Sequence, residues 1–174
     1  NTYQAYLGIT QKYVQELFLS RDTAVLFLNK RGMGESEGNW KHNDFQGRAD
    51  DLYAAVQFLQ QHPAIDPDRI GIMGHSQGGY IVPITSAQHE DVAFFISLVG
   101  PTRMVWEQME DDIENGLRCQ GVADEELQKE VASLMKWARL EANVGKLLPL
   151  GEADIQAGIM DYDPRQALQT VKSP

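Results

Sequence analysis

The stretch Ile70-Gly71-Ile72-Met73-Gly74-His75-Ser76-Gln77-Gly78-Gly79 decides how this chain is read. A short apolar run leads into a serine with a glycine two residues away on each side, and Gln77 to about Gln88 continues with helical character. A serine hydroxyl is a weak nucleophile at neutral pH. It must be held exposed, beside a base, with donors waiting for the oxyanion. A tight strand-to-helix turn provides that exposure, and Gly74 and Gly78 remove side chains that would collide as strand and helix close on each other. Ser76 then stands at a helix N-terminus, where unpaired N–H groups and the helix dipole favour negative charge. Ser76 is the candidate nucleophile, and the backbone N–H of Gln77 is the candidate oxyanion donor. The G-x-S-x-G spacing alone is a weak signal. Its weight here comes from the strand before it, the helix after it, and a further helix and strand upstream in βαβ order.

Upstream, Tyr13/Val14 and Leu17/Phe18 recur at helical spacing with Thr10 as N-cap, which predicts a helix to about Ser20. Thr23 to Asn29 is a near-continuous apolar run that suits a strand buried on both faces of a parallel sheet. Arg31 to Gly38 is a glycine-punctuated loop. Phe45, Ala49, Leu52, Val56 and Leu59 mark a helix capped by Asn43 or Asp44 and stopped at His62-Pro63. Asp66-Pro67-Asp68 is a turn, and Ala93 to Val99 is a third strand. The alternation of helices and strands predicts an α/β fold, a parallel sheet covered by helices on both faces.

After Pro101 the β-branched runs give way to helical periodicity with acidic faces. Val105, Met109, Ile113 and Leu117 mark one helix. Leu127, Val131, Leu134, Met135 and Ala138 mark another, begun by Asp124, Glu125 and Glu126. Asp161-Tyr162-Asp163-Pro164 opens a short helix, and Val171 to Pro174 reads as the lead into a strand. The predicted organisation is an α/β core part over 1–100, a helical cap over 101–160, and a return to the core over 161–174.

The chain of 174 residues has a hydrophobic fraction of 43%, enough for a packed core, and a formal charge of -10. No basic stripe is available to neutralise phosphates, which argues against nucleic acid as a partner. No run approaches the roughly 18 apolar residues of a membrane span. The single cysteine, Cys119, permits no intrachain disulfide and leaves the compartment open. Oligomeric state is not specified.

The chain resembles the α/β-hydrolases, and among them bacterial serine esterases with a helical cap. The resemblance rests on Asn29-Lys30-Arg31-Gly32-Met33-Gly34-Glu35-Ser36, Asp66 through Ile72, Gly74 through Gly79 with Pro83 following, and Asp163-Pro164 leading to Val171 through Pro174. It implies a carboxylic-ester hydrolase working through an acyl-enzyme on a small-molecule ester, with no metal or organic cofactor. Thioesterase, aminopeptidase-type peptidase and non-catalytic scaffold are the alternatives. The resemblance also implies a triad completed by an Asp and then a His on loops after later strands.

No histidine here fits that role. His42, His62 and His75 precede the serine, and His89 follows at the far end of the predicted helix, about 20 Å away at about 1.5 Å of rise per residue. His75 is expected to pack beneath the turn, since neighbouring side chains diverge. The triad Asp and His are therefore expected outside this chain. Both ends read as cut, with Asn1 rather than Met at the start, and the isolated chain is expected to be inactive and unstable.

Other features have plainer readings. The Gly32 to Gly38 loop misses the dinucleotide pattern, because Glu37 occupies the third glycine's place. Arg31 reads as a structural tie to nearby acids or carbonyls. Asp50 and Asp51 read as a solvated face with no metal-binding cluster around them. Met104, Trp106, Met109, Trp137, Met160 and Tyr162 could line an acyl pocket but read first as core between cap helices. Pro83, seven residues into its helix, is expected to bend it.

Overall fold

The structure, a computed structural model, describes residues 14–148 and 158–172. Helix α1 spans Phe45–Gln60, strand β1 Gly71–His75, helix α2 Gly78–Gln88 and strand β2 Phe94–Leu98. Helices α3 (Val105–Cys119), α4 (Asp124–Leu147) and α5 (Pro164–Thr170) follow. β1 and β2 run parallel with Gly71 opposite Phe94 and His75 opposite Leu98, so β1, α2 and β2 form a βαβ unit.

Local chemistry sets the boundaries. The Asp44 carboxylate accepts the Gly47 N–H at 2.8 Å and caps α1. Asp66 caps the short 3-10 helix Pro67–Arg69 before β1, and Asp163 caps α5 through the Arg165 N–H. Asp124, Glu125 and Glu126 occupy the first turn of α4, where the helix dipole favours negative charge. α2 runs without interruption through the buried Pro83.

Two apolar clusters hold the α/β part. Val56, Ile70, Ile72, Val82 and Val92 pack together where α1, β1 and α2 meet. Phe45, Ala49, Tyr80, Ile84 and Ile159 join α1 and α2 to the segment before α5. Each fully buried side chain of this kind contributes about 1.5–3 kcal/mol relative to exposure. The wholly buried Thr85 hydroxyl donates to the Ile81 carbonyl at 3.2 Å and reaches the Ala49 carbonyl of α1 at 3.4 Å.

α3 and α4 form a helical hairpin with its own core of Trp106, Leu127, Val131, Met135, Ala142 and Met160. Asp161 fastens the hairpin to the returning chain, accepting from Trp106 Nε1 at 3.0 Å and from Lys146 Nζ at 2.6 Å. A second apolar stripe of α4, including Leu134, Trp137, Val144 and Leu147, is exposed.

Three expectations need correction. Thr23 to Asn29 is not a strand. Leu26 and Leu28 are exposed, because a strand exists through the ladder of a neighbour and no described segment pairs with this one. The first helix is not a regular α-helix over its described part, which is a π-helical turn Val14–Phe18 followed by a 3-10 turn Leu19–Arg21. Its expected cap, Thr10, lies outside the described residues, as do Ser173 and Pro174 of the expected lead into a further strand. Asp51 is not simply solvated. It receives Arg31 through Nε at 2.9 Å and Nη2 at 2.5 Å, which is the tie expected of Arg31.

Candidate active site

Ser76 follows β1 directly and precedes α2, and its backbone has φ of 53°. A non-glycine residue in this region is uncommon and strained, and such strain persists only where the surroundings dictate it. The surroundings do so here. The Ser76 N–H donates to the Leu98 carbonyl at 2.9 Å, extending the parallel ladder by one bond, while the Ser76 carbonyl accepts the Gly79 N–H at 2.8 Å. Sheet and helix thus grip the same residue from both sides, and its side chain is exposed.

The flanking glycines are not equivalent. A Cβ on Gly74 would lie 2.2 Å from the Gly78 carbonyl oxygen, so strand and helix touch there backbone to backbone. A Cβ on Gly79 would lie 2.3 Å from the Gly100 Cα and 2.8 Å from Ser97 Oγ. A Cβ on Gly78 would meet nothing among the described residues within 4 Å. The steric demand expected of Gly74 and Gly78 falls instead on Gly74 and Gly79.

His75 does not pack beneath the turn. β1 alternates with Ile72 and Gly74 buried and Met73 and His75 exposed, so pleating turns His75 outward. His89 caps the C-terminus of α2 and stacks on Tyr53 with ring centroids 3.4 Å apart, at the opposite end of the helix from Ser76.

Gln77 opens α2, where backbone N–H groups lack an intrahelical carbonyl. Its side chain is held as well: Arg48 Nη1 donates to Gln77 Oε1 at 2.6 Å. Arg48 is buried, and its Nε donates to the Asn43 carbonyl at 2.9 Å. Burial lowers the tendency of its guanidinium to hold a proton, and the Asp44 carboxylate offsets this in part. Lys30 is likewise held below its ordinary range, first by burial and then by the charge of Arg48.

Two residues near Ser76 escaped the reading of the sequence. Val99, just past β2, has φ of 44°, and a β-branched residue gives no sequence signal for such a backbone. Arg48 could have been found, as a charge among Phe45, Ala49, Leu52 and Val56 on the apolar face of α1.

Of the side chains read first as core between cap helices, and second as an acyl pocket, Trp106 and Met160 are buried in the hairpin core, with Met104 and Met109 packed against it. Trp137 is 66% exposed. Tyr162 stands edge-on to Phe45 and Tyr80, and both phenols are pushed up to about 12, chiefly by burial. A cavity of about 580 Å³ lies between α1, α2 and α5, lined by Phe45, Ile84, Ala87, Tyr162 and Ala167 among others. It opens beside the C-terminal half of α2, away from Ser76. No described helix is long and apolar enough to cross a membrane.

The chain is 36% identical over 78 residues to the thiohydrolase aneE of Aspergillus aculeatus, a match covering 44% of this chain and 24% of that protein. It is 35% identical over 98 residues to the uncharacterized peptidase YtmA of Bacillus subtilis, covering 54% of this chain and 37% of the relative. Against the quorum-quenching protein AidA of Acinetobacter baumannii it is 34% identical over 83 residues, covering 47% and 27%. Each match thus spans well under two thirds of the relative's own length. The model of the prolyl oligopeptidase family matches residues 10–161, and the chain belongs to that family of α/β-hydrolases.

Proposed function

We propose that the protein containing this chain is a serine hydrolase that cleaves carboxylic esters through an acyl-enzyme. Ser76 Oγ attacks the acyl carbonyl and gives its proton to a base, and the backbone N–H of Gln77 holds the oxyanion. The tetrahedral adduct collapses as the base returns that proton to the alkoxide, so the alcohol leaves; water, giving a proton to the same base, then attacks the acyl-serine, and collapse releases the acid as the base reprotonates Ser76 Oγ. The base and its acid partner come from residues outside this chain. The helical hairpin α3–α4 serves as a cap over the nucleophile. The substrate is a small acyl compound, and the mechanism calls for no metal or organic cofactor.

The observation that carries this reading is the backbone of Ser76, a non-glycine residue at φ of 53° between β1 and α2. Nothing about an inert serine calls for that strain, whereas a nucleophile presented above strand and helix does. The names of the relatives favour a second reading within the same mechanism. One is a thiohydrolase and one a peptidase, which supports thioesters or amides as the scissile bond.

The test uses the full-length protein. A fluorophosphonate probe is expected to label Ser76, and Ser76→Ala to lower turnover of the preferred substrate by about a thousandfold or more. Matched ester, thioester and amide substrates rank the two readings. Full-length protein that neither labels at Ser76 nor loses activity in Ser76→Ala overturns both.

A further inference from the structure

The side chain of Gln77 ends a chain of polar contacts that begins in the glycine loop. That loop folds around Arg31: the Gly32 N–H donates to the Glu37 carbonyl at 3.0 Å, and Gly38 sits against the Arg31 side chain. Gly32 is required there, with φ of 68° and a Cβ position 2.6 Å from the Gly38 carbonyl oxygen. Arg31 then grips Asp51 of α1. Asp51 Oδ2 accepts from Asn43 Nδ2 at 2.9 Å, and the Asn43 carbonyl accepts from Arg48 Nε at 2.9 Å. Arg48 Nη1 closes the series on Gln77 Oε1.

We propose that Arg48 is a positioning residue for the oxyanion donor, fixing the first turn of α2 through the side chain of Gln77 under the direction of the Arg31–Asp51–Asn43 series. The proposal rests on the assignment of Ser76 and Gln77 made above. The amide that meets the oxyanion and the side chain that Arg48 holds belong to one residue, so a contact at Oε1 restricts rotation of the donor. Oxyanion stabilisation depends on donors already aimed, because reorientation during reaction would consume the stabilisation they give. Arg48 is suited to the task by its planar fork. Nε and Nη1 are fixed relative to each other and bridge Asn43 and Gln77 together, which a lysine ammonium on a flexible stem cannot reproduce. The guanidinium also stands 5.7 Å from the centroid of the Phe45 ring, which backs it from the apolar side.

A buried arginine could serve stability alone, so the test must separate positioning from folding. The experiment measures fluorophosphonate labelling of Ser76 in the full-length protein at increasing probe concentration, giving a maximal rate and a half-saturating concentration. Arg48→Met, Arg48→Lys and Gln77→Met are each expected to lower the maximal rate about tenfold, less than the loss of a whole oxyanion donor. The half-saturating concentration stays within about twofold, because binding is not what positioning supports. Gln77 is only half-buried, so Gln77→Met tests the contact without opening the core. The double variant Arg48→Met/Gln77→Met is expected to fall about tenfold, since both changes break one contact. A hundredfold fall, or singles that lose thermal stability while labelling at the wild-type maximal rate, overturns the proposal. Wild-type protein unlabelled at Ser76 overturns it together with the functional reading. Normal wild-type labelling with unaffected variants overturns the positioning role alone.

Discussion

The turn at Ser76 and the helical hairpin α3–α4 are packed by different rules. Around Ser76 the contacts are backbone to backbone: Gly74 against the Gly78 carbonyl, Gly79 against Gly100, and the Ser76 N–H on the Leu98 carbonyl. In the hairpin they are side chain to side chain, with Trp106, Leu127, Val131 and Met135 filling the space between two helices at ordinary helical spacing. The first kind of packing sets backbone against backbone and leaves no side chain to adjust. The second fixes volume and leaves the surface free. A reacting hydroxyl that must meet donors and base together needs the first kind, and strain is tolerable there because its neighbours permit nothing else.

The sharpest way to break the contrast is Gly74→Ala. An added methyl would lie 2.2 Å from the Gly78 carbonyl oxygen, a backbone atom that cannot swing aside. Strand and helix must part, and the expected cost is about 3 kcal/mol, the upper end of the usual overpacking range. Urea unfolding of the full-length protein measures it. A cost below about 1 kcal/mol would mean that the turn can relax, and the strain at Ser76 would lose its significance.

Gly116 of α3 provides the opposite case. A Cβ there meets nothing among the described residues within 4 Å, and no positive φ is involved. Gly116→Ala is expected to stabilise by about 0.5–1 kcal/mol through helix propensity and a less free unfolded chain. Urea unfolding of the same protein gives the sign. Destabilisation would show that the hairpin, too, is packed tightly at its backbone.

The same distinction separates what the sequence made legible from what it did not. Hairpin helices could be read from Val105, Met109, Ile113 and Leu117 and from Leu127, Val131 and Met135, because periodicity reports side-chain packing. The βαβ unit could be read because β1 and β2 find each other within the chain. Thr23 to Asn29 carries an equally apolar pattern and makes no ladder with any described segment, since pairing depends on a neighbour that the segment's own residues do not encode. At the candidate site, glycine spacing pointed to Ser76 and to the crowded Gly74 but placed the second crowded position at Gly78 instead of Gly79, because that contact is set by the approach of α2 to Gly100, just past β2. The Arg48–Gln77 contact spans 29 residues and joins α1 to α2, and no local motif announces it.

The smallest effect concerns how the hairpin is fastened. Hydrogen bonds from Lys146 and then from Trp106 hold the Asp161 carboxyl below the usual carboxylate range. A carboxyl with a depressed pKa in the folded state adds stability that is complete above the unfolded value of about 4, and loses it as pH falls through the folded value. The Asp161 side chain is 66% exposed, so solvent screens the pair and its contribution stays below about 1 kcal/mol. Asp161→Asn keeps an oxygen for Trp106 but removes the charge that Lys146 meets. The variant is therefore expected to lie slightly below the parent protein at pH 7 and to converge on it below about pH 4. Thermal unfolding of both proteins between pH 3 and pH 7 measures the gap. A gap that persists unchanged at the acid end, where Asp161 is itself neutral, would assign the loss to something other than its charge and leave the Lys146 pair without a role in holding the hairpin.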